Sequence, residues 1–116
     1  MSATRVALKG GLESARAAAT SVLERHLADP ELAGAVAVNL LMAMGTLLGG
    51  WQLAKGALAA RSMVDRDGAD AELLEAKLTT SEFYAEHFMP RIAAYTATVL
   101  AGSRTVMGLS VAQLLR

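Results

Sequence analysis

The sequence predicts an all-α protein, an up-down antiparallel bundle of three long helices that is completed by a partner or by a second copy. Composition gives the helical class: hydrophobic residues are 53% of the 116 residues and aromatic residues only 4%, and the apolar content is mostly 24 alanines and 18 leucines. Such residues favour helices over strands. Two clear breaks divide the chain into three stretches, and the middle stretch is apolar on every side. A helix of that kind needs to be covered all round.

The first predicted helix covers about residues 4–28. Its apolar positions recur every three or four residues, which places them on one face: Leu8, Leu12, Ala15, Ala19, Val22 and His26. Asp29 and Pro30 end this helix, because a residue before proline is disfavoured in the α region. We expect Asp29 to cap the second helix, with Pro30 at its first helical position.

The second predicted helix covers about residues 30–64 and contains no charged residue from Leu32 to Ala54. A heptad-like spacing predicts one buried seam along it: Ala33, Ala37, Leu40, Met44, Leu47, Trp51, Ala54 and Leu58. The other faces are apolar as well. Residues 65–68 form the turn that ends the helix, with Gly68 free to take a positive φ.

The third predicted helix covers about residues 70–101 and is the clearest amphipathic helix in the chain. Its apolar stripe is Leu74, Leu78, Ser81, Ala85, Phe88, Ile92, Tyr95 and Val99. Pro90 removes one backbone hydrogen bond, so we expect a kink there. Gly102 and Ser103 end the helix. The bundle domain is therefore residues 1–103, followed by a tail, residues 104–116, that is irregular apart from one helical turn at residues 111–115.

Several classes of function are disfavoured. Eleven basic and eleven acidic residues give no net charge, which argues against nucleic-acid binding, and the absence of cysteine removes disulfides and thiolate metal sites. His26 and His87 lie in no catalytic constellation, and the Glu-x-x-His pattern of carboxylate-bridged metal sites does not occur. We therefore predict no catalytic, cofactor-binding or metal-binding residue in this chain. The charged N-terminus does not look like an export signal, so the expected location is the cytoplasm.

The uniformly apolar second helix is the unusual feature. It is long enough to cross a bilayer. Its four glycines, Asn39 and Gln52 argue against a membrane-spanning helix. Burial against protein is the preferred interpretation, because soluble monomers rarely expose long apolar strips. Trp51 is interpreted as a packing anchor, with a ligand platform or an interface hot spot as the alternatives. The predicted interface residues are Leu40, Met44, Leu47, Leu48, Trp51 and Leu58.

Three segments resemble one known family. They are AKLTTSEFYAEHFMP at residues 76–90, GGWQLA at residues 49–54 and VMGL at residues 106–109. Together with the alanine-rich ending at Gly102, they resemble the C-terminal helical extension of long bacterial acyl-CoA dehydrogenases of the methylmercaptopropionyl-CoA dehydrogenase type. The residues that carry the resemblance are Gly49, Gly50, Trp51, Lys77, Phe83, Tyr84, Glu86, Pro90 and Gly102.

The resemblance implies a non-catalytic role. In whole family members the flavin site, the acyl-CoA site and the catalytic glutamate belong to the preceding flavoprotein domain, so neither Glu82 nor Glu86 is given that role. The leading hypothesis is a helical domain or subunit that docks on, or oligomerises with, an FAD-containing acyl-CoA dehydrogenase. The alternatives are an independent homodimeric module and a small membrane-associated protein. Met1 is compatible with a separate short protein, a fragment or a reused domain.

Overall fold

The computed structural model describes residues 2–68 and 70–116, so Met1 lies outside the described residues. The helices, in chain order, are α1 (Ser2–Arg25), α2 (Leu32–Asp67), α3 (Ala71–His87), α4 (Arg91–Ala101), α5 (Arg104–Met107) and α6 (Val111–Leu114). The described residues thus confirm the predicted all-α class.

The connection between α1 and α2 differs from the prediction. The second helix begins at Leu32 and not at residue 30, and Asp29 does not cap it. Instead the Asp29 carboxylate accepts a hydrogen bond from the Ser103 hydroxyl at 2.5 Å. Beside it, Arg25 Nη1 donates to the carbonyl of Leu100 at 3.3 Å. The α1–α2 turn is therefore tied to the end of α4, and this long-range bond competes successfully with local capping.

The third predicted helix is two helices, which corrects the expectation of one kinked helix. The chain leaves helical geometry at residues 88–90 and resumes it at Arg91. Pro90 has no N–H to give to the carbonyl of Glu86. The Tyr84 carbonyl accepts from both Phe88 and Met89, at 2.9 and 3.0 Å, and this double acceptance closes the turn between α3 and α4.

The remaining helix ends are closed by local chemistry. Gly68 has the predicted positive φ, 62°, because glycine adopts the left-handed conformation without steric cost. The predicted end of the helix near residue 64 was too early, because α2 continues to Asp67 and the Gly68 N–H donates to the carbonyl of Val64. Asp70 caps α3 by accepting from the backbone N–H groups of Glu72 and Leu73. In the tail, Ser110 and Gln113 form a capping box at the start of α6, within the predicted turn, whereas α5 was not predicted.

Two clusters of buried residues form the core. The first joins α1, α2 and α4 through Ala18, Leu32, Val36 and Val99. The second joins α2, α3 and α4 through Ala43, Ala85, Met89 and Ile92, with Leu8 of α1 and Leu47 packed against it. From the first cluster to the second, α1 runs backwards from Ala18 to Leu8, and α4 runs backwards from Val99 to Ile92. Along the same direction α2 runs forwards from Val36 to Ala43. The chain direction of α2 is therefore opposite to that of its neighbours.

The buried face of α2 lies one residue away from most of the predicted seam. The seam was right at Ala54, which is buried, and in part at Leu40 and Leu47, which are half-buried against the core clusters, and it was wrong elsewhere. Ala33, Ala37, Met44, Trp51 and Leu58 are all exposed. The buried positions are Leu32, Val36, Ala43, Gly50, Ala54, Ala57 and Ala60. Most of these residues are small. The helix therefore buries its alanines and a glycine and leaves many large apolar side chains outside.

Glycines allow the close approach of the helices. A methyl group at Gly49 would lie 2.5 Å from the Tyr84 hydroxyl oxygen, and one at Gly50 would lie 2.5 Å from the sulfur of Met89. On α1, a methyl group at Gly11 would lie 3.0 Å from the Ile92 side chain. These contacts hold α2 against α3 and the α3–α4 turn.

The molecule is long and thin. Its principal dimensions are 68 × 30 × 17 Å and its radius of gyration is 19.1 Å. A compact domain of this length has a radius of gyration of about 13 Å. The helices therefore pack side by side without enclosing a wide core.

Two leucines on opposite sides of α2 test which face is buried. Leu32 is fully buried and Leu58 is 57% exposed, although Leu58 belongs to the predicted seam. We expect Leu32→Ala to lower the free energy of unfolding by about 2–5 kcal/mol. Leu58→Ala should change it by less than about 0.5 kcal/mol. Urea unfolding of the purified chain followed by circular dichroism measures both; a larger loss for Leu58→Ala would restore the predicted seam.

Two glycines of α2 test the close approach of α3. We expect Gly49→Ala to destabilise the protein by roughly 1 kcal/mol, because the new methyl group displaces the Tyr84 hydroxyl from its hydrogen bond. Gly56 has open space around it and serves as the matched control. Gly56→Ala should stabilise the helix by about 0.5–1 kcal/mol. The contact is refuted if thermal unfolding finds the two variants equally stable.

Candidate docking surface

A long apolar groove lies between α1 and α2 on the outside of the protein. Two depressions of about 280 and 240 Å³ form its middle part. We call it the α1–α2 groove, and its apolar lining is Leu8, Leu12, Ala15, Ala19, Met44, Leu47, Leu48 and Trp51. Arg16 is the charged residue at its edge. The lining makes the groove suited to an apolar surface and poorly suited to a charged ligand.

The groove exists because α1 and α2 meet through small residues. Ala15, Ala18 and Gly11 on α1 are buried, whereas Leu12 beside them is exposed. Large side chains on the flanks of both helices therefore line an open channel and do not close over it. At its floor Leu47 is half-buried and packs on the second core cluster.

Trp51 is the largest side chain in the groove and is 47% exposed. The ammonium group of Lys55 lies 4.5 Å from the centre of its ring. A tryptophan held by a cation on one side and open on the other can bury a large apolar area against a partner. Trp51 was predicted to be a packing anchor, but about half of its side chain remains exposed in the protomer.

A wider depression of about 540 Å³ continues the groove towards the start of α1. It is lined by Ser2, Thr4, Arg5, Val6, Leu8, Ala54 and Leu58. Thr4 is buried and its hydroxyl lies 3.2 Å from that of Ser81 on α3, which fixes this end of α1. The groove and this depression together follow α1 from Ser2 to Ala19, a distance of about 26 Å at 1.5 Å per residue.

The structure brings most of the predicted interface residues together. Met44, Leu47, Leu48 and Trp51 line the α1–α2 groove, and Leu58 lines the adjoining depression. Leu40 is separate, since it is half-buried against the first core cluster. Leu8 and Leu12 also line this surface but were not among the predicted interface residues. Their positions in the apolar stripe of the first helix could have indicated it.

The residues of the family motif fall into two groups. Gly49, Gly50 and Tyr84 hold α2 against its neighbours, and Gly102 has φ of 86° where it passes beside the Arg25 guanidinium. Backbone geometry and close approach therefore account for these positions. The exposed motif residues are Trp51, Lys77, Phe83, Glu86 and Pro90. Trp51 lines the α1–α2 groove, and the other four do not.

An aromatic cluster surrounds the end of α3. The Tyr84 hydroxyl donates to the carbonyl of Thr46 at 2.9 Å, and partial burial raises the pKa of this tyrosine above its usual range. The Tyr84 ring stacks on Phe88 at 5.2 Å, and the Arg91 guanidinium lies over the same Phe88 ring at 4.6 Å. These contacts stabilise the α3–α4 turn.

The two histidines have local partners. His26 contacts the carbonyl of Leu23 through Nδ1 at 2.7 Å, and the His87 ring stacks on Phe83 at 4.8 Å. Within residues 2–68 and 70–116, no three His, Asp or Glu side chains lie close enough together to hold a metal ion. The groove is thus the most extensive candidate site that the described residues offer.

The amount of exposed surface is large for a chain of this size. The solvent-accessible surface is 7843 Å². A folded monomer of 12.1 kDa has about 6,000 Å². The excess is roughly 1,800 Å², about twice the ~800 Å² that one partner contributes to a standard interface. This excess follows from the elongated shape, and part of it lies on the exposed tail, residues 104–116.

By its length and composition alone, α2 is long and apolar enough to cross a membrane. The segment is Leu32–Arg66, and only 17% of its most apolar stretch is buried within the protein. The core helix of a soluble protein can pass the same test but is mostly buried. The exposure of α2 therefore calls for an external surface, whether protein or lipid.

Comparison with known proteins places the chain in a family. The model of the family described as "Acetyl-CoA dehydrogenase C-terminal like" matches residues 1–110. The 3-methylmercaptopropionyl-CoA dehydrogenase of Ruegeria pomeroyi is 42% identical over 82 residues, which cover 67% of this chain and 14% of that protein. The chain thus spans a small part of the dehydrogenase that it matches. No solved structure matches it. The chain belongs to the family of acetyl-CoA dehydrogenase C-terminal-like domains, and the resemblance carried by its glycine and aromatic motifs is confirmed.

Proposed function

We propose that this chain is a non-catalytic helical domain or subunit that docks on an acyl-CoA dehydrogenase flavoprotein through the α1–α2 groove. The flavoprotein carries the FAD, the acyl-CoA site and the catalytic base. The helical domain contributes apolar surface that holds the assembly together. A cytoplasmic location is part of the proposal.

Family membership supports the choice of partner. The Ruegeria pomeroyi relative is a dehydrogenase, and the matched region is 14% of its length. Most of such an enzyme therefore lies outside the region that corresponds to this chain. The proposal assigns the flavin-dependent chemistry to that larger part, so the helical domain needs no reactive group of its own.

The single observation that carries the proposal is the exposed groove. Met44, Leu48 and Trp51 face outwards beside Leu12, although all four are large and apolar. Exposed apolar patches of this extent mark interaction surfaces in soluble proteins. In the proposed assembly, α1, α2 and the α3–α4 pair form an antiparallel bundle, and the flavoprotein completes it by covering this flank.

The expected energy of docking is adequate. Removing roughly 800 Å² of apolar surface from water contributes about 20 kcal/mol before costs. Association and side-chain ordering cost about 4–15 kcal/mol. Trp51 lies near the middle of the groove, where residues of an interface contribute most to affinity. Arg16 at the groove edge stays in contact with water and sets the orientation of the partner.

A membrane-associated protein is a second candidate, favoured by the low burial of α2. Its apolar stretch, however, includes Asn39 and Gln52, and charged residues of α1 border the groove. Polar groups of this kind are costly at the centre of a bilayer. Cell fractionation separates the two functions, since a membrane protein stays in the pellet until detergent is added.

A pull-down with the tagged chain as bait tests the proposal. The protein offered to it is an acyl-CoA dehydrogenase from the same genome that lacks its own C-terminal helical domain. We expect the immobilised chain to retain it, detected by flavin absorbance after washing. Leu12→Glu should weaken binding at least tenfold, because it places an unpaired charge in the middle of the buried groove.

Leu23→Glu is the matched control, because Leu23 is an exposed leucine on α1 outside the groove. This variant should bind within about twofold of the unaltered chain. Loss of binding by both glutamate variants would point to general misfolding, which circular dichroism would reveal. If the well-folded chain retains no flavin at all, the proposed docking is wrong.

A further inference from the structure

A second surface, apolar along most of its length, runs along the outward face of α2 and borders the α1–α2 groove at Leu48. Its positions follow alternating spacings of four and three, and every one is exposed. We call it the α2 outward stripe: Gly34, Val38, Leu41, Gly45, Leu48, Gln52, Lys55, Ala59 and Ser62. Val38 is 71% exposed and Leu41 is 69% exposed. None of these positions is needed for packing within the protomer.

We infer that two copies of this chain pair through the α2 outward stripe, with the two α2 helices antiparallel and Gly45 at the two-fold axis. The spacing of the stripe is the heptad spacing by which helices pack along their length. The apolar part is centred on Gly45, with Leu41 one turn before it and Leu48 one turn after it. A two-fold axis at Gly45 places Leu41 of each copy beside Leu48 of the other.

Gly45 suits the centre of such a contact. A methyl group built on it meets no atom of the protomer within 4 Å, so the protomer itself does not require glycine there. At a helix crossing, small residues let the backbones approach closely. The flanking leucines then pack on either side of the crossing and remove their side chains from water.

Charge decides between antiparallel and parallel pairing. From residue 32 to residue 54 the helix has no charge, and the exposed charges nearest its ends are Glu31 and Lys55. With Gly45 on the axis, Lys55 of one copy lies about one helical turn, roughly 6 Å along the axis, from Glu31 of the other. Parallel pairing would instead place Glu31 beside Glu31 of the other copy and Lys55 beside Lys55, and like charges repel each other.

Docking through the α1–α2 groove leaves most of the α2 outward stripe uncovered. The groove lies on the side of α2 that faces α1, whereas Val38 and Leu41 lie on the outward face. The dimer does not depend on the flavoprotein, because Leu12 and most of the groove lie on a different flank of α2.

Single cysteines test the register, since the chain has none of its own. Disulfides require Cα atoms within about 7 Å. Gly45→Cys places the two thiols at the axis, so a mild oxidant should convert it to a disulfide-linked dimer. Val38→Cys is the matched control, because antiparallel pairing separates its two thiols by about 21 Å. We expect at least tenfold slower cross-linking for this control on a non-reducing gel. Equal rates for the two variants would overturn the antiparallel register.

Light scattering of the full chain tests the surface. The unaltered chain should be a dimer, and Leu41→Glu should be a monomer with unchanged helix content by circular dichroism. Leu12→Glu, which alters the groove, should remain a dimer. A monomeric unaltered chain, or a chain that stays in solution only with detergent, would overturn the inference. Light scattering uses the chain without any flavoprotein, so its outcome does not depend on whether the proposed flavoprotein docking is right.

Charge exchange gives an independent measurement. Glu31→Lys and Lys55→Glu should each raise the dimer dissociation constant several-fold. The double variant should restore it, because the opposite charges face each other again with their signs reversed. Failure of the double variant to recover affinity would contradict the proposed alignment.

Discussion

The structure depends on one packing constraint: α2 buries its small side chains and exposes many of its large ones. Ala43, Gly50, Ala54 and Ala57 form much of its inner face, and the neighbouring helices come close enough to touch them. Close approach increases the number of dispersion contacts per unit length, although each alanine removes little apolar area from water. The core is therefore dense but thin, and the larger apolar area of α2 remains outside.

This constraint explains why the ends of the bundle are tied by polar contacts. A thin core supplies little energy at its margins, where Asp29, Ser103 and Arg25 join the α1–α2 turn to the end of α4. At the other end of α1, Thr4 and Ser81 meet through their hydroxyl groups in a buried position. Polar pairs of this kind stabilise modestly, but they fix the axial positions of the helices. The width and length of the α1–α2 groove follow from those positions.

The sequence predicted what depends on local chemistry. The helical class and the positive φ of Gly68 each follow from the properties of nearby residues. Pro90 was correctly expected to disturb the third stretch, but the predicted kink is a break between two helices. The buried stripe on the third predicted stretch was also found, since Ser81, Ala85, Ile92 and Val99 are buried. Polar residues occupy the opposite face there, so only one face was available for burial. Asp29 was assigned wrongly because its true partner, Ser103, lies 74 residues away.

The register of α2 was beyond sequence reasoning for a physical reason. Where every face is apolar, hydrophobic periodicity no longer distinguishes inside from outside, and residue size becomes the deciding property. Large residues such as Trp51 and Met44 were placed in the seam, whereas the small residues before them, Gly50 and Ala43, are the buried ones. The predicted interface was still largely found, because Met44, Leu47, Leu48 and Trp51 line the groove and Leu58 lines the adjoining depression.

The two outer surfaces of α2 are distinct but share a border. Leu48 lines the α1–α2 groove and also belongs to the α2 outward stripe, whereas Leu12 lies only in the groove and Leu41 only in the stripe. Covering either surface removes water from one side of Leu48, so the second contact has less of that side chain left to dehydrate. Leu48 therefore takes part in both proposed contacts. The residues that separate the contributions of the two surfaces are those away from the border, Leu12 for the groove and Leu41 for the stripe.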